Sequence, residues 1–283
     1  MAKQTLVMGI DVGGQSTKLG VVDARGNILY QSVISSLQRE LSSYVDDLTT
    51  AIKDLIKKAE NDGEVKGIGI GAPNGNYYKG TIEFAPNLKW AYDENDKPMV
   101  IFFAKMIKDI VGIPVAITND ANAAAVGEMT YGIAKGMKDF IMITLGTGVG
   151  SGIVIGGNIV YGHDGFAGEL GHTIVVRGGR QCNCGRKGCL ETYTSATGVA
   201  RTAREFLAER KDKSLLRSLD VEKITSKDIY DAATKGDKLA IEIFHYTGRI
   251  MGEAFANFVA FSAPEAIILF GGLARSKEFL TES

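Results

Sequence analysis

Apolar positions fall in short runs along the first part of the chain. Residues 5–11 read as a strand, Gly13-Gly14 break it, and residues 16–22 resume it. A turn of Asp23, Ala24, Arg25, Gly26 and Asn27 precedes a third strand over 28–34. Leu41, Val45, Leu48, Ile52, Leu55 and Ile56 then recur at helical spacing, which predicts an amphipathic helix over 41–60. Residues 65–71 read as a fourth strand, 72–90 as a loop rich in Asn, Gly and Pro, 100–111 as a helix and 114–118 as a strand. Asn119 or Asp120 is placed to cap the alanine-rich helix that follows.

Near residue 140 the pattern restarts. Residues 140–145 predict a strand, Gly146-Thr147-Gly148-Val149-Gly150 a break, and 151–155 a strand. This echoes the strand, glycine break and strand of residues 8–22, a faint internal duplication. The uncharged run 140–163 is long enough to span a bilayer, but seven glycines interrupt it. Strands joined by a Gly156-Gly157-Asn158 turn fit it better. A glycine- and cysteine-rich insert over 162–189 follows, then helices over 195–210, 226–235 and 237–262. Residues 265–270 predict a last buried strand ending in Gly271-Gly272. Two α/β halves that each begin with strands point to two lobes around a cleft, over 1–118 and 119–283, with ligands at strand ends.

Composition narrows the function classes. The chain has 283 residues, 45% apolar and 23% charged, as expected of globular domains. A net charge of −1 gives no global attraction to nucleic acid or anionic lipid. The N-terminal residues carry no export pattern, so a cytoplasmic protein is expected, with no nucleic-acid and no membrane partner. Glycine is unusual, at 35 against 5 prolines, and it clusters between apolar stretches. Glycine lets backbone N–H groups approach an anion closely. The turns at Gly13-Gly14, Gly146 to Gly150 and Gly271-Gly272 therefore predict a phosphate cradle, against the plainer reading of tight hairpins. Ser16, Thr17 and Thr147 add hydroxyls, and Lys18 and Asp11 add a cation and a Mg²⁺ partner. No P-loop signature and no dinucleotide fingerprint is present.

Three cysteines are too few for a disulfide framework. With His172, the thiols of Cys182, Cys184 and Cys189 make a complete tetrahedral zinc set. A full set leaves no position for a reactive water, so the zinc is expected to be structural, fixing the segments that carry Glu169 and Glu191. Asp120, at a helix start, reads either as a first-turn acid or as a base, and the dipole there favours its ionised form. Glu169 and Glu191 suit recognition of sugar hydroxyls, because carboxylates accept hydrogen bonds.

Together these residues resemble the ROK family of sugar kinases and repressors, within the actin/hexokinase-like superfamily. Asp11 to Lys18 is similar to its first phosphate motif and Leu145 to Gly152 to its second. Asn119 to Asn122 resembles its catalytic-aspartate motif, and Phe270-Gly271-Gly272 its adenosine-side loop. Gly168 to His172, with Cys182 to Glu191, resembles its zinc signature. Gln15 departs from the family's usual threonine, and the chain ends soon after Gly272, short for the family.

The resemblance implies a two-lobed actin-like ATPase (ribonuclease H-like) α/β fold, with a zinc-binding segment over 162–191 in the second lobe. It implies Asp120 as the catalytic base, and Asn74, Asn87, Asn119, Glu169, His172 and Glu191 as contacts to the sugar. Asp11, Gly13, Gly14, Lys18, Gly146, Thr147, Gly148, Gly271 and Gly272 would meet ATP and its Mg²⁺. His172 would serve zinc through one ring nitrogen and sugar through the other. The expected activity is ATP-dependent phosphorylation of a hexose, glucose first, by a homodimer or higher homo-oligomer. N-acetylhexosamine kinase and fructokinase are the enzymatic alternatives, and an impaired sugar-binding member is a third. A repressor is disfavoured by the near-neutral charge and by a first phosphate motif beginning at Asp11.

Overall fold

The computed structural model describes residues 3–280, which form two compact units. The first runs to Gly136 and takes in residues 159–167; the second holds 137–158 and the chain from Gly168 on.

The first unit is built on a five-stranded sheet. Its elements are β1 (Gln4–Val12), β2 (Ser16–Val22), β3 (Ile28–Ser35), α1 (Leu41–Ala59), β4 (Gly63–Ala72), β5 (Gly75–Asn76), β6 (Thr81–Glu83), β7 (Val100–Ile101), α2 (Phe103–Val111), β8 (Val115–Asn119) and α3 (Asp120–Tyr131). The large sheet runs β3-β2-β1-β4-β8, with β1 antiparallel to β2 and parallel to β4. Alternate residues of β1, including Leu6, Met8, Ile10 and Val12, are buried while their neighbours are exposed, as a half-covered strand requires. The face of α1 that carries Val45, Leu48, Ile52 and Leu55 is buried, as the spacing predicted, and Tyr44 is buried beside them. Tyr44 stacks on Trp90 with ring centroids 4.1 Å apart, and Phe103 completes that aromatic core.

The span 72–90, expected as loop, contains β5 and β6, which pair with β7 in a small second sheet. Strands of two or three residues are too short to show an alternating pattern. For the same reason the helix expected over 100–111 starts only at Phe103, since Ile101 pairs with Ile82. The expected lobe boundary at residue 118 moves to Gly136, because α3 packs on β4 and β8 of the first sheet.

The second unit comprises β9 (Phe140–Leu145), β10 (Val149–Ile155), β11 (Asn158–Ile159), α4 (Glu191–Thr194), α5 (Ala196–Glu209), α6 (Ser226–Ala233), α7 (Lys238–Ser262), β12 (Ala266–Phe270) and α8 (Lys277–Leu280). Its sheet runs β11-β10-β9-β12, with β9 antiparallel to β10 and parallel to β12. That repeats the β2-β1-β4 arrangement of the first unit. The β10–β11 turn has positive φ at Gly156 and Gly157, as a two-residue hairpin turn of the primed kind demands. The last strand is not buried as expected. β12 lies at the sheet edge, is half-buried, and leaves Phe270 52% exposed. The helix read over 195–210 is preceded by the separate short α4, and Ser195 caps α5 by accepting the Gly198 N–H. The insert expected in the second lobe is divided, with residues 162–167 in the first unit and 168–191 in the second.

Candidate active site

On the first unit, Asn119 ends β8 and caps α3, its Oδ1 accepting the Ala121 N–H at 2.8 Å. Asp120 is the next residue, and its own Oδ1 accepts from the same N–H at 2.8 Å. Desolvation by the surrounding protein pushes the Asp120 carboxyl above the usual carboxylate range, though one side of the residue stays open to solvent. The Ala121 N–H opposes that rise and the nearby Asp11 carboxylate adds to it. The expectation that the helix start would favour the ionised form is opposed by desolvation and by the Asp11 charge, which together raise the carboxyl above its ordinary value.

Asp11 and Lys18 are cross-strand neighbours in β1 and β2, both exposed. Between them the turn closes through Gly13 N–H donating to the Ser16 carbonyl at 3.1 Å. A Cβ on Gly14 would stand 2.9 Å from the Asn87 carbonyl oxygen, so glycine there lets the Asn87 segment approach this turn. Ser16 is half-buried, but Thr17 is lost as a phosphate donor. Its hydroxyl bonds Ser36 at 2.8 Å and Tyr44 at 2.6 Å inside the core. The Asp11 carboxylate is near enough to act on Asp120, and carboxylate oxygens are the hard donors that Mg²⁺ takes.

Asn74 leaves β4 with a φ of 52°. Its amide donates to the Glu83 carbonyl at 2.9 Å and the Phe84 carbonyl at 3.3 Å, so the hairpin claims that group. Asn87 is exposed.

On the second unit, the turn between β9 and β10 closes through Gly146 N–H to the Gly148 carbonyl at 3.0 Å. The beginning of α5 holds its carbonyls: Ala196 N–H donates to Gly146 at 2.9 Å, and the Thr197 hydroxyl to Thr147 at 2.8 Å. Thr197 escaped the sequence reading, which took the Ser195-Ala196-Thr197 run only as a helix start. Gly271, at φ 107°, packs where a Cβ would meet the Leu145 carbonyl at 2.5 Å, so the Gly271-Gly272 turn lies beside the β9 end of the glycine loop. Thr147 is exposed.

Glu191 begins α4 and reaches two places. Its Oε2 accepts the Val149 N–H at 2.9 Å, and its Oε1 lies 4.0 Å from the Cys182 sulfur. Glu169 is exposed just before a single 3-10 turn over Leu170–His172.

One ligand atom from each of His172, Cys182, Cys184 and Cys189 lies within 4.8 Å of the others. His172 Nδ1 is 3.6 Å from Cys182 Sγ, and Cys184 Sγ is 3.6 Å from Cys189 Sγ. A tetrahedral zinc with standard bond lengths requires separations of about 3.6–3.8 Å. The residues fit a metal ion, and Nδ1 in the cluster leaves Nε2 of His172 outside it. Metal-free, burial pushes the Cys182 thiol up to about 12; a bound cation would instead hold it as thiolate.

Arg180, 7% exposed, braces this segment. It donates to the Thr192 carbonyl at 2.7 Å and the Thr202 hydroxyl at 2.9 Å, pairs with Glu205, and lies 4.4 Å from the Tyr193 ring centroid. Nothing in the sequence distinguished it from the other basic residues.

The ROK family profile matches residues 7–283. The glucokinase of Halalkalibacterium halodurans is 37% identical over 283 residues, covering 96% of this chain and 82% of that protein. The crystal structure of a ROK family glucokinase from Streptomyces griseus in complex with glucose and AMPPNP superposes with a TM-score of 0.77 at 34% identity, over 98% of this chain and 86% of that one. A ROK family transcriptional regulator, a homologue of the E. coli MLC protein, superposes with a TM-score of 0.86 at 25% identity, over 99% of this chain and 68% of that one. No helix among the described residues is long and apolar enough to cross a membrane. A profile match over nearly the whole chain, with a glucokinase more than one-third identical to it, establishes that this chain belongs to the ROK family.

Proposed function

We propose that the protein transfers the γ-phosphoryl group of ATP to the 6-hydroxyl of a hexose, glucose first. The observation that carries this is the Asn119–Asp120 pair at the start of α3, where both side chains accept the Ala121 N–H and the Asp120 carboxylate is placed as a general base, its carboxyl raised above the ordinary value by desolvation and Asp11. Asp120 takes the hydroxyl proton as the sugar oxygen attacks phosphorus; one P–O bond forms and the bond to the ADP oxygen breaks. Positioning and charge neutralisation supply most of the rate. Asn119 and Asn87 are assigned to the sugar on the first unit; Glu169, His172 through Nε2, and Glu191 are assigned to it on the second. Asn74 acts chiefly by shaping the hairpin, since its amide is committed. The glycine turns at Gly13-Gly14, Gly146 to Gly148 and Gly271-Gly272 are assigned to the nucleotide, with Lys18 and Thr147 beside them. Asp11 would hold Mg²⁺, which supplies charge neutralisation at the phosphates when bound. His172, Cys182, Cys184 and Cys189 would hold a structural zinc.

The glucokinase relatives support this reading. A sugar-responsive regulator is the second reading, favoured by the likeness to the MLC homologue. The deciding experiment presents the full chain with Mg·ATP and a panel of glucose, fructose, mannose, N-acetylglucosamine and N-acetylmannosamine. Hexose-dependent ADP release with a 6-phosphate product is expected. Sugar binding without ADP release across the panel would overturn the kinase and favour the regulator.

A further inference from the structure

Phe84 stands out against everything around it. It follows β6 directly, with a φ of 54°, the left-handed region, where a bulky side chain is a genuine outlier. Its neighbours hold it there: its N–H donates to the Met99 carbonyl at 2.9 Å, and its carbonyl accepts from Asn74 at 3.3 Å. A glycine at this position would make both hydrogen bonds without strain. The phenyl group is also 56% exposed, so burial does not compensate the strained backbone. Strain of this kind persists where the surrounding structure holds it, and it clusters at sites that contact ligands.

The position gives that contact a direction. Ala72 of β4 pairs with Asn119 of β8, and Asn74 lies two residues beyond Ala72. Gly75 packs on the Thr118 backbone, where a Cβ would come within 2.3 Å of the carbonyl oxygen. On the other side, Asn87 lies three residues after Phe84 and packs its carbonyl against Gly14. The Phe84 backbone therefore sits on a continuous path, within the first unit, from the Asn119–Asp120 pair to the first glycine turn. A pyranose ring carries hydroxyls around its rim and C–H groups on its faces. Asn119, Asp120 and Asn87 serve the rim, and an exposed aromatic ring serves a face.

We infer that Phe84 is a substrate-contacting residue, stacking on the C–H face of the hexopyranose and setting the preference for sugars that keep that face free of axial hydroxyls. This rests on the kinase reading proposed above. It adds a specificity determinant that neither the sequence motifs nor the committed polar groups supply.

The test compares Phe84→Gly, Phe84→Asn and Phe84→Tyr in the full chain. Glycine and asparagine both tolerate the left-handed backbone, so neither should lower the melting temperature, and glycine should raise it. Both should weaken hexose binding, read by calorimetric titration and by KM, about tenfold, equal to about 1.4 kcal/mol. The KM for ATP should not move. Phe84→Tyr, which keeps the ring, should bind hexose as the wild type does. Unchanged hexose affinity in the glycine and asparagine variants, beside a wild type that binds and phosphorylates hexose, overturns the Phe84 assignment alone. A wild type that neither binds nor phosphorylates any hexose of the panel overturns both. Should one variant fail to fold, the other carries the comparison.

Discussion

At the scale of single residues, Asp120 separates a base from a cap. Asp120→Asn keeps the shape and leaves the Asn119 cap in place, so stability should hold. Turnover should fall by at least ~100-fold, the usual scale of general-base catalysis. The pH dependence has a definite sign. The folded-state pKa lies above the ordinary 3.8, so ionising Asp120 costs stability as pH rises through the folded value. With Asp120 as the proposed base, activity should run the opposite way, rising through that same pKa as the base is freed. The asparagine variant should thus be at least as stable as wild type near neutrality and lack the acid limb; thermal melts and a pH–rate profile check both. A Cβ at Gly148 would stand 2.4 Å from the Glu191 carboxylate, so a substitution there disturbs a second group. Gly146 has open space around its Cβ direction. Gly146→Val should weaken AMPPNP binding while leaving hexose affinity unchanged; titration with both ligands checks it, and unchanged AMPPNP affinity would remove the loop from the phosphate site.

Among the elements, the cysteine segment and its brace make separable predictions. Metal analysis should find about one zinc per chain. Cys184 is exposed, so Cys184→Ser removes a ligand without opening the core. A drop in melting temperature in that variant reports the lost metal. Arg180→Leu should cost about 3 kcal/mol in urea unfolding, because it strips carbonyl and hydroxyl partners inside the unit. Glu205→Gln should cost much less, since that carboxylate is more than one-third exposed and solvent screens it. The long elements were readable from sequence because period and burial agree. Leu48, Ile52 and Leu55 mark α1, and residues 140–145 match β9. So was the grouping of His172, Cys182, Cys184 and Cys189, because four side chains able to bind a metal crowd into one short stretch. The small sheet of β5, β6 and β7 was not readable, being shorter than one pattern repeat. Thr17 misled because its hydroxyl is chemically suited to phosphate, and only the sheet's inside-outside register commits it to Tyr44. Arg180 and Thr197 act through contacts distant in sequence, which local spacing does not encode.

At the scale of the whole molecule, the chain passes between the two units three times, after Gly136, after Asn158 and after Ala167. The middle excursion, residues 159–167, docks into the first unit. The buried Asn76 amide donates to the Asp164 carbonyl at 2.8 Å, and Tyr77 stacks on Tyr161 at 4.4 Å. The chain then re-enters the second unit one residue before Glu169. Neither unit is therefore a contiguous stretch of sequence. A fragment ending at Gly136 would present an empty berth with an unmet amide and a bare tyrosine face. It should be markedly less stable than the same unit in the intact chain, and a synthetic peptide of residues 159–167 added in trans should recover part of the loss, read by thermal melts with and without peptide. In genetic terms, the two units cannot be shuffled by exchanging one continuous segment. A recombinant with a different second half inherits a foreign plug for the first, so crossovers should survive only where that plug travels with the unit it fills.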